Sequence, residues 1–113
     1  MNGVGLIFGL ATAFLVLLIV ISALAARELP PTGPVPTHFD IKGKADAFGS
    51  RWITLAIVPV SYVVANALIL TIGPSARSTP VSQLVTTQVA LGLSLLAAHG
   101  FVMFLLLRWA RSQ

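Results

Sequence analysis

The sequence predicts an all-α membrane protein, a single membrane domain over 1–113 with three transmembrane helices and an ordered Pro/Gly-rich loop between helices 1 and 2. Hydrophobic residues make up 57% of the 113 and charged residues only 9%, against roughly 45–50% and about 25% in soluble domains. The charges are missing from three long segments in particular. A soluble core of this size leaves much of its surface wet and could not bury so much apolar side chain. Lipid is therefore the expected solvent.

The first apolar segment runs from Val4 to Ala26 without a charge, enough for the ~20 residues that cross the hydrocarbon. Ala23-Leu24-Ala25 resembles a signal-peptide cleavage site. The basic n-region is absent, however, and the apolar stretch exceeds the usual ~7–15 residues, so a retained span is expected. The second span covers Trp52 to Ile72 and is predicted to stop at Gly73-Pro74. After a polar turn over Ser75 to Pro80, the third covers Leu84 to Leu107 and ends in Arg108-Trp109-Ala110-Arg111. Trp52 and Trp109 stand where interfacial aromatic anchors belong.

The loop from Arg27 to Arg51 opens with four prolines among Pro30 to Pro36, which fix φ and withhold donors. A stiff, extended or polyproline-like segment is expected there. Phe39, Ile41 and Phe48 could dip back toward the membrane interface. The net charge of +4 does not point to nucleic acid, because the basic residues form no stripe interleaved with aromatics. With three spans, the loop and the C-terminal tail share a side that carries Arg27, Lys42, Lys44, Arg51, Arg108 and Arg111, leaving Arg77 opposite. The positive-inside rule puts that side in the cytoplasm and the N-terminus outside.

Polar residues inside a span call for an explanation. These are Asn66, Gln88 and His99. Antiparallel spans put His99 nearer the loop side, and Asn66 about 10 Å away in depth at 1.5 Å per residue, too far to touch. Pro59 lies level with His99 and frees the carbonyl of Leu55. The expectation is that His99 bonds that carbonyl or Thr54 and knits the second span to the third. Small residues recur every fourth position at Gly5, Gly9 and Ala13, and at Ala90, Ser94 and Ala98, which suits close packing among the three helices.

The sequence offers little chemistry. It contains no cysteine, no HExxH and no nucleophile elbow. His38, Asp40 and Asp46 are weak metal candidates, because a catalytic zinc needs three well-placed ligands and an open position. No cofactor is expected, and Asp40 and Asp46 are expected to pair with Lys42, Lys44 or Arg51. His38 is expected to order the turn or cap a helix.

Pro36-Thr37-His38-Phe39-Asp40 followed by Gly43-Lys44-Ala45-Asp46-Ala47-Phe48-Gly49-Ser50-Arg51 resembles the loop signature of the SdpI-type membrane domain. That pattern is roughly Pro-x-His-Phe-Asn/Asp, then Gly-x-x-Asp-x-x-Gly-Ser-Lys/Arg, between a first and a second transmembrane helix. The resemblance is specific over residues 27–60 and rests on hydropathy elsewhere. It implies a non-enzymatic protein of a bacterial inner membrane that binds a peptide or protein partner in immunity or signalling, with His38, Phe39, Asp40, Gly43, Asp46, Phe48, Gly49, Ser50 and Arg51 binding the partner or ordering the loop. The chain is shorter than SdpI, which has more spans. Two alternatives stand beside it. One is a small accessory subunit of a larger membrane complex. The other is a transporter or metal-dependent protein centred on His38 and His99.

Overall fold

The computed structural model describes residues 3–75 and 80–113. Helix α1 (Gly3–Ala26) leads into a hairpin of β1 (Val35–Phe39) and β2 (Ala45–Gly49), followed by α2 (Arg51–Ser75) and α3 (Val81–Arg111). All three helices are long and apolar enough to cross a membrane. Large side chains such as Phe8, Val16, Ile57, Val64, Leu93 and Phe101 project outward. Without lipid around it this surface would be a large aggregation-prone patch. The class is helical and membrane-spanning, as the composition predicts.

Two helices differ from expectation at their ends. α2 passes through Gly73-Pro74 to Ser75, and α3 begins at Val81 and reaches Arg111. Hydropathy marks the hydrocarbon-facing stretch, whereas the backbone ladder continues into the interface. Pro74 falls in the final turn of α2, one residue before its end. Arg77 and most of the expected polar turn lie outside the described residues.

The loop differs more. Instead of an extended rim it folds into an antiparallel hairpin, with Val35 opposite Gly49, Pro36 opposite Phe48, His38 opposite Ala47 and Phe39 opposite Ala45, and the register shifts on either side of His38. Proline is tolerated at a sheet edge, where no partner strand needs its missing donor. Here the Pro36 carbonyl instead accepts a hydrogen bond from Thr54 Oγ1 of α2 at 2.5 Å. The turn closes through Asp40 N–H to Lys44 O at 2.8 Å. The Asp40 carboxylate accepts the backbone N–H groups of Lys42 and Lys44, both at 2.9 Å. Asp40 thus shapes the chain by an Asx-type turn and does not pair with a lysine side chain. Gly43 sits at φ +79°, a left-handed position that glycine occupies without a Cβ penalty.

The hairpin lies against the helix ends. A core of Ala25, Leu29, Val35, Leu55, Met103 and Leu106 joins all three helices to β1, with Phe39 and Trp109 packed on it. Deeper in the bundle, the Phe14 ring lies over Gly92, where any Cβ would overlap it. The small-residue stripes do not make these contacts. Gly9 and Ala13 are exposed and Gly5 is half-buried, while Ala90, Ser94 and Ala98 all face outward. The buried seam of α3 follows Leu84, Gln88, Gly92, His99, Met103 and Leu106. Gln88 and Gly92 are each two residues from a stripe position, about 200° around the helix. Spacing marked a face without showing which way it turned.

Candidate functional site

Among the described residues three polar clusters stand out, and the one on the hairpin is the most exposed. His38 Nδ1 and Asp46 Oδ1 meet at 2.6 Å across the strands on an open surface. The Arg51 guanidinium donates to Pro30 O at 2.6 Å, tying the start of α2 to the proline run. The Ser50 hydroxyl accepts from Trp52 N–H at 3.3 Å, and its carbonyl accepts from Ile53 N–H at 3.1 Å. Such contacts cap an N-terminus. Gly49 packs beneath the Thr37 methyl, 3.1 Å from where a Cβ would stand. Phe48 meets Trp109 ring to ring at 6.0 Å. The motif residues therefore order the hairpin and dock it. Asp46 pairs with His38, so neither aspartate takes a Lys or Arg side chain, contrary to the sequence expectation. The strand geometry explains this, because Asp46 faces His38 across the pair while the lysines lie in and beside the turn. Of the weak metal candidates, His38 and Asp46 come together and Asp40 turns to the backbone. Among the described residues no group of three potential ligands forms.

The second cluster is in the membrane, near the hairpin side. Ser22 of α1 donates its hydroxyl hydrogen to the Leu55 carbonyl at 2.7 Å, the carbonyl left free by Pro59. The same oxygen lies 2.7 Å from His99 Nε2. Since the only Ser22 proton is already donated, the imidazole supplies the hydrogen of the second bond, which places its own proton on Nε2. His99 thus reaches the freed carbonyl through Ser22 and links all three helices. The expected direct bond to Leu55 or Thr54 is not made, and the Thr54 hydroxyl serves the hairpin instead. The arrangement resembles a serine–histidine dyad in composition only. A nucleophile would need its hydrogen aimed at the base, whereas the Ser22 hydrogen is directed at the Leu55 carbonyl.

The third cluster lies deeper. Tyr62 Oη donates to Gln88 Oε1 at 3.1 Å, Gln88 Nε2 donates to Asn66 Oδ1, and Asn66 Nδ2 donates to Tyr62 O at 2.9 Å. This closed ring joins α2 to α3 and leaves none of its three side chains free. Asn66 and His99 sit in separate clusters, as their depths predict. Ser22 and Tyr62 escaped the sequence reading. Ser22 had one usable signal, a small hydroxyl residue on α1 at the depth of the carbonyl freed by Pro59. A tyrosine within a valine-rich span gives none.

Comparison with known proteins adds one match. The family model described as "Domain of unknown function (DUF1648)" matches residues 13–61. No curated protein and no solved structure matches the chain. The matched stretch takes in the second half of α1, the whole hairpin and the start of α2. It includes Ser22, Leu55 and Pro59 and ends before Tyr62.

Proposed function

We propose that the protein is a non-enzymatic membrane protein that binds an extended peptide, or a protein segment, along the free edge of its hairpin, as its resemblance to the SdpI-type domain suggests. In this reading it resides in a bacterial inner membrane with the hairpin in the cytoplasm. One observation carries the proposal. The sheet has two strands, and while Val35 and Pro36 of β1 are buried, Asp46, Ala47 and Phe48 of β2 are exposed. An unpaired edge held rigidly by a scaffold is a template for strand addition. Bonds from Thr54, Arg51 and Arg108 to the hairpin and its approach supply that rigidity.

A photo-crosslinking residue at Asp46, in cells, tests the reading. A discrete protein or peptide adduct is expected, and Ala47→Pro, which blocks pairing along β2, should abolish it. An adduct unchanged by Ala47→Pro, or none beyond lipid, would reject edge binding. A second reading, a subunit docked within a larger membrane complex, has its own support in the outward-facing Ala90, Ser94 and Ala98, since small residues let a further helix approach closely. Purification in mild detergent separates the two, because only the subunit should emerge in stoichiometric complex through its helices when the hairpin edge is blocked.

A further inference from the structure

Between the hairpin turn and the end of α3 lies an open groove of about 370 Å³, lined by Phe39, Lys44, Phe48, Leu105, Arg108 and Trp109 among others. Its floor is apolar and its rim is basic. Arg108 makes one long bond, Nη2 to Gly43 O at 3.3 Å, which leaves most of its donors unused. Among the described residues neither Arg108 nor Lys44 meets a carboxylate. Asp40 is held by backbone N–H groups and Asp46 by His38. Leu105 and Trp109 place the groove at the terminal turns of a membrane-crossing helix, the level of the lipid headgroups.

We infer that this groove binds the headgroup of an anionic phospholipid, with the phosphate between Arg108 and Lys44 and the upper acyl chain along Leu105 and Phe39. The charge is complementary, and guanidinium is suited to bidentate phosphate recognition. The gradient from basic rim to apolar floor matches a lipid better than a small soluble anion, which would gain nothing from the floor. This inference is independent of strand addition at the β2 edge.

Trp109 provides the readout. With Trp52→Phe, it is the only tryptophan. The full chain is reconstituted in nanodiscs containing a minor fraction of brominated phosphatidylglycerol or of brominated phosphatidylcholine. Stronger quenching of Trp109 by the anionic lipid is expected. Arg108→Gln and Lys44→Gln should each lower that preference about fivefold, following the usual contribution of one basic residue at an anionic surface, while Arg108→Lys, which keeps the charge but loses the bidentate fork, falls between Arg108→Gln and the native chain. Among the described residues the Lys44 side chain makes no hydrogen bond or ion pair, so Lys44→Gln reports even if Arg108→Gln does not fold. Equal quenching by the two lipids would overturn the inference. So would a preference that survives Lys44→Gln, or one abolished by millimolar inorganic phosphate, which would mark a free-anion site.

Discussion

Ser22 holds together what Pro59 takes apart. Proline removes the donor that would satisfy Leu55 O, and Ser22 restores one from another helix while accepting from His99. In Ser22→Ala both groups lose their partner inside the bundle. A loss of about 1–2 kcal/mol is expected, the upper part of the range for membrane hydrogen bonds, measured by unfolding in mixed detergent. Pro59→Ala restores a local N–H to Leu55 O, so Ser22→Ala should cost visibly less in that background. Additive losses in the double-mutant cycle would show that Pro59 and Ser22 are unrelated. Gly92→Ala makes a second test at this scale. A Cβ there overlaps the Phe14 ring, and overpacking of about 1–3 kcal/mol is expected, with partial rescue by Phe14→Leu. Gly9→Ala, which adds a methyl where nothing lies within 4 Å, should be close to neutral under the same assay.

At the scale of elements, the helices were legible in the sequence and the hairpin was not. Uncharged runs of twenty or more residues admit one structure in lipid, because every backbone group must be satisfied within the segment. Val35-Pro36-Thr37-His38-Phe39 carries the opposite cue, a proline in a five-residue strand. It reads as irregular until Thr54 takes up the strand's outer carbonyl. The loop between the strands lacks an Asn-Gly signal and depends on Asp40 and Gly43. The contacts of the motif residues are visible only when folded: Asp40 bonds backbone rather than lysine, and Arg51 reaches back to Pro30. Intramembrane Asn66, Gln88 and His99 stood out because polar groups in lipid are rare, whereas Ser22 and Tyr62 did not. Gly43→Val places a β-branched residue at φ +79° and should cost about 1–2 kcal/mol while loosening the turn; Gly43→Asn should be milder. Limited proteolysis within residues 40–44 reads the difference, and equal cutting of both variants would remove the role given to Gly43.

For the whole molecule, the question is which way the basic end faces. The hairpin and the last turn of α3 lie at one end of the bundle, joined by Arg108 to Gly43 O and by Phe48 against Trp109. Arg27, Lys42, Lys44, Arg51, Arg108 and Arg111 all belong to this end, so the fold concentrates its positive charge in one interface. Lysine and arginine near span ends resist translocation and set orientation, and anionic lipid on the cytoplasmic leaflet adds attraction. A cytoplasmic hairpin is therefore expected. The chain contains no cysteine, so Lys44→Cys introduces a single thiol at the exposed turn. In intact cells this thiol should resist a membrane-impermeant maleimide and react after permeabilisation, while a cysteine at Asn2 should show the reverse. Ready labelling of residue 44 in intact cells would place the hairpin outside. It would also remove any cytoplasmic partner for the β2 edge, so orientation decides where a partner must be sought.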